Sequence, residues 1–127
     1  MKINRIIVTG GNGFIGINLI LALLHNKNNL ILNIDNLTYA SNNDSILKKY
    51  SNYRFVKENI IFKNKITKIF KKFKPNIIFH LAAESHVDRS ISKSNTFINT
   101  NILGTYSLVE CFSHYIASKQ NSNKKIF

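Results

Sequence analysis

Three glycines, Gly10, Gly13 and Gly16, follow the β-branched run Ile3 to Thr9 and open a stretch, Phe14 to His25, in which Ile15, Leu19, Ala22 and Leu23 recur at helical spacing. In the order strand, turn, helix, such glycines have a chemical use. The first permits a tight turn, the second lets the backbone approach a pyrophosphate, and the third lets helix and strand pack closely, while free N–H groups and the helix dipole attract the anion. Gly11 leaves a second register open, because Gly11, Gly13 and Gly16 also fit G-x-G-x-x-G. Asp35 closes the next apolar run, Leu30 to Ile34. It stands about twenty residues beyond the glycines, where a carboxylate can accept hydrogen bonds from ribose hydroxyls and would repel a 2′-phosphate. The pattern predicts a dinucleotide site that prefers NAD to NADP; the alternative for Asp35 is a cap on the loop that follows.

The elements that must position these residues alternate. After the second strand comes a polar loop and a short helix expected over Asn43 to Tyr50, then a third strand over Tyr53 to Val56 and a helix over Phe62 to Phe73. A fourth strand is expected over Pro75 to His80, its Ile77, Ile78 and Phe79 buried on both faces. A long helix follows from about Thr96 to Lys119, with Ile98, Ile102, Tyr106, Val109, Phe112 and Ile116 along one stripe, and Lys124 to Phe127 reads as the opening of a fifth strand. Alternating β and α elements with short connections predict an α/β, Rossmann-type, doubly wound parallel sheet with right-handed crossovers, cut at about the fifth strand. The whole of 1–127 reads as one domain.

At 127 residues, 44% hydrophobic and 19% charged, the chain has the composition of a core-former, which excludes disorder and collagen-like repeats. A single cysteine excludes an internal disulfide, and Cys111 in an apolar helical stretch reads as a buried small hydrophobe. The net charge of +12 is of the kind that nucleic-acid and anionic-membrane binders carry. Its origin is compositional, since Ile, Asn and Lys, all with A/U-rich codons, supply 54 of the 127 residues. The densest basic run, Lys63, Lys65, Lys68, Lys71, Lys72 and Lys74, alternates with Ile66, Ile69, Phe70 and Phe73 so that the lysines fall on a solvated helix face. No specific nucleic-acid partner is therefore expected. Nor is a membrane one: Gly10, Gly11, Gly13, Gly16 and Asn18 interrupt the N-terminal apolar segment, which argues against a signal sequence or a span. A soluble cytoplasmic protein without metal ligands is expected.

Four segments go beyond these patterns: VTGGNGFIG at Val8 to Gly16, NLTYASN at Asn36 to Asn42, HLAAESHVDRSI at His80 to Ile91 and FINTNILGT at Phe97 to Thr105. Together they closely resemble the dTDP-glucose 4,6-dehydratases, extended short-chain dehydrogenase/reductase proteins that use NAD to make a 4-keto-6-deoxy sugar. The resemblance covers essentially the whole chain but only the N-terminal part of that family's protein. The block from His80 is the specific one, since related sugar-nucleotide epimerases share the glycines and an alanine-rich strand end but usually not Glu-Ser-His-Val-Asp-Arg-Ser. The resemblance implies main-chain contacts of Phe14 and Ile15 to the pyrophosphate, and Asp35, Asn36, Leu37 and Thr38 around the adenosine ribose. Asn59 and Ile60 would lie by the adenine. Leu81, Ala82, Ala83, Glu84 and Ser85 would pass beneath the cofactor, Ser85 would also reach a dTDP-glucose-type sugar nucleotide, and Thr100 would add a cofactor contact. Small alanines after a buried strand independently suit a flat ligand lying across the carboxyl ends of a sheet. His86, Asp88 and Arg89 read equally well as a surface polar cluster.

Departures from the family pattern are also present. Asn59 stands where Asp is usual, and its amide oxygen is expected to accept from the adenine amino group in the carboxylate's place. Asn12, Ile17, Asn36 and Phe62 replace the usual Ala, Ser, Lys and Asp. The family's Thr-Asp-Glu segment, which supplies the acid and base for water loss, and the Tyr-x-x-x-Lys pair whose tyrosine deprotonates the sugar C4 hydroxyl would both fall beyond Phe127. The chain is thus expected to keep the cofactor cradle, to contain no catalytic residue and to be inactive by itself, as a truncated relic or one half of a split enzyme. A non-catalytic NAD-binding or interaction module and a piece of a related epimerase are the alternatives. The family is usually homodimeric, through helices only partly contained here.

Overall fold

The computed structural model describes residues 2–39, 41–42, 44–85, 91–119 and 125–127. Five parallel strands, β1 (Asn4–Thr9), β2 (Asn29–Asp35), β3 (Tyr53–Lys57), β4 (Ile77–His80) and β5 (Lys125–Ile126), form one sheet in the order β3-β2-β1-β4-β5. The helices α1 (Phe14–Leu24), α2 (Lys63–Phe73), α3 (Ser94–Phe97) and α4 (Thr105–Ala117) lie between them in sequence, and a π-helical segment, Ile98–Gly104, joins α3 to α4. Because β4 lies on the opposite side of β1 from β2, the winding reverses between β1 and β4. A crevice opens at such a switch point, at the carboxyl ends of the strands.

Strand alternation divides the core. Ile6 and Val8 of β1 face α1 with Ile20, Leu24, Ile31, Leu47 and Tyr53, whereas Ile7 faces α2 and α4 with Leu32, Ile34, Phe70, Ile78, Leu108 and Phe112. Both faces of the sheet are thus covered, as a doubly wound sheet requires. The α2 pattern is realised as read: Ile66, Phe70 and Phe73 are buried and all six lysines of the run are exposed. Cys111 is buried.

Three expectations are corrected. The helix over Asn43 to Tyr50 is a single 3-10 turn, Leu47–Lys49, because Asp44 C=O takes both Leu47 N (2.9 Å) and Lys48 N (3.3 Å) and Tyr50 is already extended; Asn43 lies outside the described residues. In β4 only Ile78 is fully buried, while Ile77 and Phe79 are half-buried. Of the stripe expected along the long helix, Phe112 is buried and Ile116 packs half-buried against the core, but the other four residues are not. Ile98, Ile102, Tyr106 and Val109 are exposed (48%, 61%, 57% and 43%), and Leu108, Cys111, Phe112 and Tyr115 face the sheet. Exposure continues from Ile98 and Ile102 in the π segment to Tyr106 and Val109 in the regular turns of α4, so the helix carries apolar residues on two faces and only one of them packs on the sheet.

Phe70 anchors the α2–α4 core, its ring edge-on to Phe112 at 6.0 Å and to Tyr115 at 5.9 Å. Phe70→Ala is expected to cost about 3–5 kcal/mol in a urea melt, and Lys68→Ala on the opposite face to change stability by less than about 0.5 kcal/mol. Comparable losses at the two positions would contradict this division of the helix.

Candidate functional site

The turn after β1 is built from close approaches. Gly10 has φ +70°, a conformation L side chains avoid, and a Cβ on it would stand 2.6 Å from Ala82 N, so β1 and the segment after β4 touch through bare backbone. A Cβ on Gly16 would run into Gly10 O and Gly11 Cα, which fixes how closely α1 packs on the turn. Gly13 differs, because its backbone is ordinarily extended (φ −72°) and a Cβ there would meet only Gly10 O, at 3.3 Å. Gly11 faces inward, against the Asn33 amide and Ile20. The register is therefore Gly10, Gly13, Gly16, with Gly11 serving the core.

Gly13 is also the N-cap of α1, with no capping side chain and no acidic residue in the first turn. The N–H groups at the start of that helix have no intrahelical partner and carry the positive end of its dipole. Phe14 and Ile15 hold this turn, their side chains exposed.

Gly10 and Gly13 open onto a cavity of about 420 Å³ at the carboxyl ends of the strands. Of the residues expected around a dinucleotide, Asp35, Asn36, Thr38, Asn59, Ile60, Leu81, Ala82, Ala83, Glu84 and Thr100 also line it. Phe14, Ile15, Gly16, Leu37 and Ser85 are outside its lining; Leu37 and Ser85 are exposed, and Gly16 is buried behind the turn. His86, Asp88 and Arg89 lie outside the described residues. Ser41, Glu58, Thr96 and Asn99 join the wall as well; Ser41 and Asn99 fall inside the family-like segments without an assigned contact, and Glu58 and Thr96 fall outside them.

Asp35 is buried and does the loop-capping work. Its Oδ2 accepts from Asn12 N (2.9 Å), and its Oδ1 accepts from Leu37 N (2.8 Å) and from the Ser41 hydroxyl (3.3 Å). The first bond ties the glycine turn to β2, and the second holds Leu37 at φ 53°. The capping role and a place on the cavity wall thus coincide in one carboxylate. Beneath the turn, the buried Asn12 Oδ1 accepts from Asn33 Nδ2 (2.7 Å), which also donates to the Tyr53 hydroxyl (3.0 Å). Burial, and to a lesser degree the Asp44 carboxylate, push that phenol up to about 12, so Tyr53 stays neutral.

The opposite wall is held by the π segment. Asn101 Nδ2 donates to Glu84 O (2.9 Å) and its Oδ1 accepts from Glu84 N (2.8 Å), a two-bond clasp that keeps the stretch after β4 beside Thr100. Tyr39 Oη donates to Glu84 Oε2 (3.1 Å), linking the loop after β2 to the same residue. Single π turns recur at functional sites because they redirect side chains that a regular helix would turn away. His80 joins the remaining elements: Nδ1 lies 2.7 Å from Thr9 Oγ1 and Nε2 lies 2.9 Å from Thr105 Oγ1. Burial lowers its pKa below the ordinary histidine value, so the neutral ring with one N–H is the form that completes the chain of bonds.

Tyr-x-x-x-Lys spacings do occur within the chain, at Tyr53 and Lys57 and at Tyr115 and Lys119; Tyr53 is buried on β3, its phenol pushed up to about 12 by burial. The structure puts Tyr115 in the core, 8% exposed and stacked near Phe112, outside the cavity lining. Its phenol is raised by burial, which is the wrong direction for a base. Spacing alone would have misled here.

The family described as GDP-mannose 4,6 dehydratase matches residues 7–127. The dTDP-glucose 4,6-dehydratase of Haemophilus influenzae is 44% identical over 125 residues, 97% of this chain and 37% of that protein. Among solved structures, the dTDP-glucose 4,6-dehydratase of Bacillus anthracis in complex with NAD superposes with a TM-score of 0.80 at 32% identity, covering 98% of this chain and 36% of that one. The UDP-glucose 4-epimerase of Thermotoga maritima with UDP-glucose gives 0.73 at 30% identity, covering 87% and 34%. The chain spans about a third of the length of the relatives it matches. Among the described residues no helix is long and apolar enough to cross a membrane.

The His80 bonds predict a pH dependence. Because the unfolded chain takes up the proton first, the contribution of the neutral ring is complete above the ordinary histidine pKa of 6.5 and declines as pH falls below it. Between pH 7.5 and 5.5 the urea midpoint is expected to drop, and to drop less in His80→Asn; equal slopes in the two proteins would contradict it.

Proposed function

Because the chain belongs to the GDP-mannose 4,6 dehydratase family, we propose that it is the NAD-binding portion of a dTDP-glucose 4,6-dehydratase. The carrying observation is the bare backbone of Gly13, where a Cβ would meet one protein atom, Gly10 O at 3.3 Å, at an uncapped helix N-terminus on a cavity whose next wall holds Asp35. A diphosphate fits there without displacing any side chain, since the one position where the backbone could be crowded has no Cβ and the helix supplies free donors and positive potential. The ribose next to it falls to Asp35, Asn36 and Thr38, and Ala82 and Ala83 give the flat ligand room to pass toward Glu84 and Thr100. Ser85, exposed beyond the lining, is the residue assigned to a sugar nucleotide of the dTDP-glucose type. Among the solved structures the dehydratase matches more fully than the epimerase, with a TM-score of 0.80 over 98% of the chain against 0.73 over 87%, which favours dehydration over epimerisation.

In this reading the nicotinamide supplies a reversible hydride acceptor for the sugar. The residues of this chain bind and orient it. Asp35 sets the choice of dinucleotide, because its buried carboxylate, already accepting from Asn12, Leu37 and Ser41, cannot move away from a 2′-phosphate without releasing the glycine turn.

Two outcomes are expected from calorimetric titration of the chain. NAD binds more tightly than NADP, and equal or tighter NADP binding would refute the role of Asp35. Gly13→Val abolishes NAD binding while the urea transition persists, because valine adopts the extended backbone of that position and meets little protein. Undiminished affinity in that variant would show that the diphosphate lies elsewhere.

A further inference from the structure

We infer that Asn59 reads the base of the dinucleotide as a hydrogen-bond donor, so that the site takes a 6-oxopurine at least as readily as adenine. The inference rests on the reading of the cavity as an NAD site. With the diphosphate at Gly13 on β1 and the ribose at Asp35 on β2, the strand order β3-β2-β1 puts the base at the carboxyl end of β3. The wall there is Glu58, Asn59, Ile60, Ile61 and Phe62.

Two of these side chains have polar groups to offer, and one is committed. Glu58 Oε1 accepts from Asn59 N (3.0 Å), and its carboxylate pairs with Lys65 at 3.3 Å. Asn59 is engaged at one end only. Its Oδ1 accepts from Ile61 N (3.1 Å), closing a turn two residues on, whereas its Nδ2 has no protein partner among the described residues. Turning the amide over would set N–H₂ against the Ile61 N–H, two donors, and lose that bond. The oxygen expected to receive the adenine amino group already accepts from Ile61 N and keeps one lone pair, whereas both N–H bonds of Nδ2 are unengaged among the described residues, so the capacity left for a ligand is mainly that of a donor. A carboxylate in this position would close the same turn with one oxygen and present the other as an acceptor, which suits the amino group of adenine. At the 6-position Nδ2 suits a purine O6 and opposes an exocyclic amine donor to donor, while N7, an acceptor in both bases, does not discriminate between them.

The test compares NAD with nicotinamide hypoxanthine dinucleotide, in which O6 replaces the amino group, by calorimetric titration of the chain and of its Asn59→Asp variant. The variant keeps an acceptor for Ile61 N, and an unchanged urea midpoint checks that it folds. Taking the ratio of the two affinities within each protein cancels the effect of the added charge on the diphosphate, which both ligands share. The expected result is that the hypoxanthine dinucleotide binds the parent chain at least as tightly as NAD, and that Asn59→Asp moves the ratio toward NAD by about tenfold or more. A parent chain that favours NAD by about tenfold, or a ratio that Asn59→Asp leaves in place, overturns the inference while the NAD site stands. Failure of both dinucleotides to bind the parent chain overturns the NAD site and the inference together.

Discussion

The contact between Gly10 and Ala82 is the constraint on which the site depends. Two backbones cannot approach to the distance at which a Cβ would be 2.6 Å from a main-chain nitrogen unless one of them has no side chain, and Gly10 meets that condition at φ +70°. The approach brings the turn after β1 against the end of β4, and Gly10 O then receives the first turn of α1 through the bare face of Gly16. The start of α1 is thereby aimed across the carboxyl ends of β1 and β4, at the switch point of the sheet. The cavity mouth and the helix terminus are both placed by that one close passage.

A second tier of bonds keeps the passage in place, and each joins elements far apart in sequence. Asp35 fastens the glycine turn to β2, His80 bridges Thr9 and Thr105, and Asn101 clasps the backbone of Glu84. All are partly or wholly withdrawn from water, where a lost partner leaves an unsatisfied group and costs more than the bond itself contributes. The walls of the cavity are consequently set by side chains whose partners are protein, while the donors left over are the N–H groups that follow Gly13 at the start of α1 and the Asn59 amide nitrogen.

How much of this could be read from the sequence depended on the range of the interaction. The glycine turn, Asp35 at the end of β2 and the lysine face of α2 were legible because turn geometry and helical period act within a few residues. The buried stripe of α4 was legible only at Phe112, because apolar residues occupy two faces of the helix and Ile98, Ile102, Tyr106 and Val109 point outward. The Asn101 clasp and the Tyr39–Glu84 bond were invisible for another reason: they join residues 17 and 45 apart, and only the folded sheet brings them together. Tyr115 and Lys119 show the converse, a short spacing that matches a motif yet packs into the core.

Asparagine links these levels. An amide both donates and accepts, so it can replace a smaller or a charged residue and still find partners in a folded interior. Asn12 uses both ends, its oxygen to Asn33 and its nitrogen to Asn42 O, and Asn33 in turn reaches Tyr53. Within this network one buried acceptor is left over: among the described residues Asn33 Oδ1 has no partner where Gly11 passes over it. In a chain with 19 asparagines such exchanges are well tolerated by the fold, because turns and buried networks accept either end of the amide. A ligand site is less forgiving. There one end is fixed by the protein and the other meets a partner whose donors and acceptors the chain does not choose, so the same residue that is interchangeable beneath the glycine turn sets specificity at the end of β3.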